Sequence, residues 1–346
     1  MRWEHRRITA AIEQWFTLHA RSLPWRGHRT PWRALVSEFM LQQTQVSRVL
    51  ERYEPFLERF PTPASLAAAT EQELLSMWQG LGYYRRARSL HKASMQIVEQ
   101  FGGDVPLDAA SLRKLAGVGR YTAGSMASIV GGHREPIVDG NVNRLLARLA
   151  CDDGPQDASM ARRMWERAAA LVEASGDPGM LNEGMMELGA TVCGPASPSC
   201  DACPLRDGCE AFAAGRVGEV PQPKTSGRRT VMHQHAIVVR QGSQVLLEQR
   251  PSSGLWASMW QAPTIESDRE LDVDELLRRL PAGFEDLTRV ESLTRTLTHR
   301  TVHIHVHTAA TCVGGQAEGW VWVSDRDGPG HPLSSAARAA LQAGGS

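Results

Sequence analysis

The chain is 346 residues long with 42% hydrophobic content, enough to bury substantial cores, and that length divides most naturally into two domains. Its 38 Lys and Arg balance 38 Asp and Glu, so no global field draws it to nucleic acid, and affinity for a polyanion has to come from local patterning. No apolar run approaches membrane-spanning length, and the start, MRWEHRRITAAIEQWF, carries charge through its apolar stretch, which points to a cytoplasmic protein with no membrane partner.

Residues 8–18, 37–57 and 71–78 repeat apolar side chains at three- and four-residue spacing, which predicts amphipathic helices. From residue 82 to 150, ten Arg or Lys stand against five Asp or Glu, a modest basic excess in a neutral chain. Only Lys92, Lys114 and Lys224 are lysines, so Arg supplies 35 of the 38 basic side chains. Such a bias suits bidentate phosphate contacts, but compositional drift in a GC-rich genome explains it as well.

Residues 111–130, SLRKLAGVGRYTAGSMASIV, read as helix, tight turn, helix, with Gly117, Val118 and Gly119 making the turn. Glycine opens backbone angles closed to other residues and leaves amide N–H groups uncovered at the start of the next helix, an arrangement suited to a phosphate. This is a helix-hairpin-helix signature, which the flanking Leu115 and Thr122-Ala123 strengthen. Next, IVDGNVNRLLARL places Asp139 just before an amphipathic helix, where Asp is a favoured N-cap. Segments 161–174 and 182–191 continue the helical periodicity.

Cys193, Cys200, Cys203 and Cys209 follow in one run spaced C-x6-C-x2-C-x5-C. Four thiolates so close together suit a metal centre, and the wider first gap suits a loop around a cubane 4Fe-4S cluster better than two symmetric zinc knuckles. Structural zinc and two disulfides are the alternatives. The remaining thiols, Cys151 and Cys312, are expected unpaired.

After GRVGEVPQPKTSGRRT, the segments 235–240, 244–249, 301–308 and 319–323 alternate or run β-branched like strands. In HIHVH, His303, His305 and His307 share one strand face. That face is either a metal site or a polar surface with Val302, Ile304 and Val306 packing inward. The fold class expected is mainly α. A helical domain covers 1–214, with the hairpin near 111–130 and the cysteine loop at 193–209; a linker follows at 215–232 and an α/β domain at 233–346.

The motifs resemble the MutY family of adenine DNA glycosylases across nearly the whole chain. They are LPWR at 23–26, SEFMLQQTQV at 37–46, GLGYYRRAR at 80–88, LAGVGRYTAG at 115–124, VDGNVNR at 138–144, the cysteine loop, and RPSSGLWASMW at 250–260. The resemblance implies a two-lobed helix-hairpin-helix glycosylase domain with a 4Fe-4S cluster, followed by a Nudix-like domain. It implies a monomer that acts on duplex DNA carrying adenine opposite 8-oxoguanine or guanine. By the same resemblance Glu38 is the general acid, protonated to donate to the adenine ring, and Asp139 is the anion facing the cationic sugar, by charge alone or by transient attachment. Asn141 and Tyr121 orient Asp139 and the attacking water.

In the related endonuclease III enzymes the Tyr121 position holds a lysine that cleaves the strand through a Schiff base, so the resemblance implies here a monofunctional glycosylase that leaves the strand intact. Flipping a base costs roughly a few kcal/mol, and Leu41, Gln43 and Tyr83 match the wedge residues that offset it. Trp25, Arg26 and Glu183 match positions enclosing the extruded adenine. Gly117, Val118 and Gly119 match the contact to the DNA backbone.

In the tail, the only candidate for the R-E-U element of a Nudix hydrolase box is Arg269-Glu270-Leu271. The glutamate and glycine required upstream then fall on Gln261 and Leu255, so pyrophosphate hydrolysis is not expected. The resemblance assigns this domain the reading of 8-oxoguanine through Leu297-Thr298-His299, where the family commonly has an aromatic residue, Ser and His. A thymine- or pyrimidine-directed glycosylase and a non-enzymatic iron-sulfur protein are the competing readings, and the latter has no need of Glu38.

Overall fold

The computed structural model describes residues 4–223, 229–281, 284–309, 311–312, 319–324 and 331–345. Helices lead the chain: α1 (His5–His19), α2 (Pro24–Gly27), α3 (Pro31–Leu41), α4 (Val46–Leu50), α5 (Tyr53–Arg59), α6 (Pro63–Ala67), α7 (Glu71–Met77) and α8 (Arg85–Phe101). They continue with α9 (Ala109–Leu112), α10 (Arg120–Ser125) running into a π-helical turn (Met126–Val130), α11 (Gly140–Leu149), α12 (Ala158–Ala174), α13 (Pro178–Thr191) and α14 (Glu210–Ala213). Then come β1 (Thr230–Gln241), β2 (Gln244–Gln249), β3 (Trp260–Gln261), β4 (Thr264–Ser267), α15 (Val273–Arg279), β5 (Phe284–Glu285), β6 (Thr288–Thr296), β7 (Arg300–Ala309), β8 (Thr311–Cys312), β9 (Trp320–Ser324) and α16 (Ser335–Ala343). Packing divides the chain into two units, residues 1–68 with 89–225 and residues 69–88 with 226–346.

Helix starts in the first unit are set by short polar side chains. Thr30 accepts from the Arg33 amide with Pro31 at the first helical position of α3, while Asp139, Asp157 and Asp177 cap α11, α12 and α13 by accepting from the amide three residues on. One core joins α1, α11, α12 and α13 through Ile8, Ile12, Phe16, Val142, Leu146, Met164, Leu171, Leu181, Met185 and Leu188. Each such buried side chain contributes roughly 1.5–3 kcal/mol of transfer free energy.

Two glycines are dictated by geometry. Gly117, at the hairpin turn, has φ +77°, and a Cβ there would lie 2.5 Å from Ser89 Cβ and 2.9 Å from a Phe39 ring carbon. At Gly189 a Cβ would lie 2.8 Å from Asn141 Cβ, so its absence lets α13 approach the start of α11.

In the second unit the main sheet runs β3-β2-β1-β7-β6, with β4 pairing β1 and β9 pairing β2. The β1–β7 pair is parallel and the other pairings are antiparallel. One face packs Ala236, Val238, Val302, Ile304 and Val306 under Ala336, Ala340 and Leu341 of α16. The other packs Ile237, Val239 and Ala309 under Leu271 and Leu276 at α15. Both faces of the parallel pair are therefore covered.

Val302, Ile304 and Val306 do point inward, but the opposite face is not polar surface, because His305 and His307 are buried as well. Register pairs His233 with His303 and His235 with His305, bringing five imidazoles together, with His305 stacked on both His233 and His235. The Leu271 amide donates to His235 Nε2 at 3.2 Å, and the Arg289 guanidinium donates to His305 Nδ1 at 2.8 Å. Each contact requires a bare ring nitrogen, which fixes neutral tautomers and leaves those nitrogens no lone pair for a metal. Burial first, then neighbouring histidines, pushes His235 down to about 4; burial and then Arg289 do the same to His307, also to about 4.

The unfolded chain therefore binds more protons than the folded one below the ordinary histidine range. Stability is complete above about pH 6.5 and is lost as pH falls from there toward 4. Thermal melts of the full chain are expected to show this unit's transition dropping on the order of 5 °C across that window. A His235→Gln variant is expected to flatten the pH dependence even if its midpoint is lower throughout.

Candidate active site

Within the first unit a cavity of about 250 Å³ is walled by α2, α3, α10 with its π-helical turn, the start of α11, and α13. Glu38, Asp139, Tyr121, Asn141, Trp25, Arg26, Leu41 and Glu183 all line it. Eight positions spread from residue 25 to residue 183 thus share one site.

Glu38 lies in the last third of α3, and its Oε1 accepts from the Ser125 hydroxyl at 2.7 Å. Its carboxyl is pushed up to about 7, by burial foremost and also by the charges of Asp139 and Glu183, while the Ser125 hydrogen bond and Arg29 pull it down. Asp139 is both helix cap and site residue. Its Oδ1 accepts from the Val142 amide at 2.7 Å and its Oδ2 from the Asn141 side-chain amide at 3.1 Å. Burial raises this carboxyl, whereas those two hydrogen bonds and Arg144 favour its anion. Burial thus raises both acids, and Asp139 accepts two bonds that favour its charge where Glu38 accepts one.

Asn141 is held in turn by Arg144, whose Nη2 donates to Asn141 Oδ1 at 2.9 Å and whose Nε donates to the Cys193 carbonyl at 2.8 Å. The capping residue of α11 is thereby tied through Asn141 and Arg144 to the start of the cysteine loop. The Tyr121 hydroxyl donates not to Asp139 but to Met186 Sδ, at 3.0 Å. Burial, then the charges of Glu38, Asp139 and Glu183, push its phenol well above the ordinary value, so it lines the cavity as a neutral group.

Glu183 is not a solvated mid-helix acid. It pairs with Arg26 at 3.1 Å and Arg29 at 2.8 Å. One turn on, Glu187 accepts from Arg21 and Arg26, and these bonds outweigh burial and hold it down at about 2. Trp25 is buried with its ring edge-on to Tyr53. The sequence reading missed Ser125, Arg29, Arg21 and Glu187. An acidic pair four residues apart on α13 was visible, but nothing local showed that it would meet arginines more than 150 residues away.

Gln43 (φ +56°) is exposed outside the cavity lining, and Tyr83 (φ +46°) is also exposed. In the second unit the Tyr83 hydroxyl lies 2.9 Å from the Thr298 hydroxyl. Thr298 and His299 are exposed in the turn between β6 and β7, while Leu297 packs against the sheet core. At the hairpin turn Val118 is buried, whereas Gly117 and Gly119 are exposed.

Cys193, Cys200, Cys203 and Cys209 line a second cavity with Leu145, Leu149 and Leu205. All four are free thiols, as is Cys151. Among the described residues no group of three or more His, Cys, Asp or Glu closes to the spacing of a single metal ion. Buried Arg148 donates to Cys193 Sγ at 3.3 Å and to the Gly194 and Pro195 carbonyls. Burial first, then the neighbouring cysteines, pushes Cys203 up to about 11; Cys209 is also raised, burial again foremost.

A family model described as HhH-GPD superfamily base excision DNA repair protein matches residues 36–170, and a NUDIX domain model matches residues 235–343. The adenine DNA glycosylase of Mycolicibacterium smegmatis is 36% identical, over 78% of this chain and 92% of its own length. That of Arabidopsis thaliana is 34% identical over 78% of this chain, which spans about half (49%) of the plant protein. A solved non-covalent endonuclease III–DNA complex is 25% identical with a TM-score of 0.52, over 62% of this chain and 98% of its own. Among the described residues no helix is long and apolar enough to cross a membrane. A helix-hairpin-helix glycosylase fold followed by a Nudix domain, with sequence identity sustained across both, places this chain in the adenine DNA glycosylase family.

Proposed function

We propose that this chain excises adenine mispaired with 8-oxoguanine or guanine from duplex DNA, acting as a monomer in the cytoplasm or on the nucleoid. One observation supports the reading: two carboxyls, Glu38 raised to about 7 and Asp139 held by two hydrogen bonds that favour its anion against the burial that raises it, line one cavity with Trp25, Arg26 and Glu183. A base in a duplex has to be everted to reach such a site, at roughly a few kcal/mol. Leu41, Gln43 and Tyr83 are the side chains proposed to offset that cost as wedges, with the Gly117-Val118-Gly119 turn on the backbone phosphates.

Glu38 gives its proton to the adenine ring at N7. The bond between the sugar carbon and the base breaks, its electron pair leaves with the protonated base, and the Asp139 anion stabilises the positive charge left on the sugar. Water then adds to that carbon and returns a proton to a carboxylate. Asn141 holds Asp139 oriented, and Tyr121 lines the cavity as a neutral phenol near Glu38, Asp139 and Glu183. No lysine lines the cavity among the described residues, so no Schiff base forms and the strand is left intact.

The four thiols fit a 4Fe-4S cluster. They are unbridged, they surround one cavity, and burial disfavours the anions of Cys200, Cys203 and Cys209 unless a cationic group offsets the charge. Cys193, Cys200, Cys203 and Cys209 are the residues that would hold it. When bound, the cluster holds the loop in shape, and Arg148 and Arg144 tie that loop to α11.

A Glu38→Gln variant is expected to bind duplex DNA and lose adenine release by about 10²- to 10⁴-fold in single-turnover assays. Wild type should leave abasic strands that break only on adding alkali. Strand scission without alkali, or full activity in Glu38→Gln, contradicts this mechanism. For the second unit, Thr298→Ala with His299→Ala is expected to lower the preference for adenine opposite 8-oxoguanine over adenine opposite guanine by about tenfold. Unchanged discrimination removes that loop from lesion reading.

A further inference from the structure

Serines inside helices usually turn their hydroxyl back onto a carbonyl of the preceding turn. Ser37, Ser94 and Ser128 do so, donating to Ala34, His91 and Gly124 at 2.7–2.8 Å. Ser125 does not. It is the last residue of α10 before the helix widens into its π-helical turn, its side chain is buried, and its hydroxyl donates to Glu38 Oε1 at 2.7 Å. A single helical turn has thus forgone the local bond to deliver one donor to one oxygen of one carboxyl.

A hydroxyl carries one proton to give. While it is given to Oε1, that oxygen acts as acceptor in both states of Glu38, and the acid proton resides on Oε2. Resting on the reading of Glu38 as the acid, we infer that Ser125 is a positioning residue for base release, holding Glu38 in one rotamer and making Oε2 the oxygen that delivers the proton.

Energetics follow the geometry. The groups acting on Glu38 are Asp139 at the start of α11 and Glu183 on α13, whose charges favour the protonated acid, and Arg29 before α3, which favours the anion. The Ser125 hydrogen bond sides with the anion and opposes the dominant effect of burial. Without it the acid would hold its proton more tightly and be a weaker donor, past the match between acid strength and working pH that favours proton transfer.

The test is the pH profile of single-turnover adenine release from a duplex with adenine opposite 8-oxoguanine, for wild type, Ser125→Ala, Ser125→Cys and Glu38→Gln. Removing a hydrogen bond to a carboxylate is expected to move the alkaline limb of Ser125→Ala up by about one pH unit and to lower its plateau rate. Ser125→Cys, nearly the same size but a weak donor, is expected to fall between. If Glu38→Gln is inactive but Ser125→Ala keeps the wild-type limb, or loses rate equally at every pH, the role of Ser125 is overturned and that of Glu38 stands. If Glu38→Gln still releases adenine, both fall.

Discussion

Taking the Glu38 carboxyl out of bulk water is the constraint on which the rest of this site depends. An exposed glutamate would be an anion at neutral pH with no proton to give. Here the protein around the cavity pushes it up to about 7, so that near neutrality about half of the molecules hold the acid form. Burial is costly for a carboxylate, and the structure limits that cost by surrounding Glu38 with a donor, Ser125, and a cation, Arg29, instead of leaving it unpaired. The apolar residues of α3 do the positioning. Leu35, Val36, Phe39 and Met40 are buried, so the one acid in that helix is carried into the interior by its neighbours.

Asp139 answers the same burial differently. Burial raises its carboxyl too, but the bonds of Oδ1 to the Val142 amide and Oδ2 to Asn141 oppose that rise, and its place as a helix cap leaves it little freedom to turn. Its support continues through Asn141 and Arg144 to the Cys193 carbonyl, and one turn further along α11 Arg148 reaches the Cys193 thiol and the carbonyls beside it. The cysteine loop is far from Asp139 in sequence but only two side chains away in space.

Much of this was legible in the sequence where a local rule was strong. The hairpin turn could be read from Gly117, whose φ and crowding against Ser89 and Phe39 admit only glycine. Asp139 was legible as a cap, which the structure shows, and it also lines the cavity, because a cap's two oxygens can serve two partners, the Val142 amide and Asn141. The strand face of His303, His305 and His307 was read as alternation, but whether that face met solvent depended on β1 and on Leu271, which no window around residue 305 contains. β6 was not anticipated, since Val290 and Leu293 are too sparse an apolar pattern, and the strand exists by pairing with β7. Ser125, Arg29 and Glu187 were invisible for a related reason: a serine or a charged residue has no period, and its partner is set by tertiary packing alone.

The protonation of a single carboxyl can be measured directly. Infrared difference spectra of wild type against Glu38→Gln, recorded from about pH 5 to about pH 9, isolate the band of the Glu38 acid form. A protonated-carboxyl band that fades with a midpoint near 7 is the predicted result, and a midpoint near the ordinary 4.5 would show that the fold does not hold a proton on Glu38 for delivery to a base.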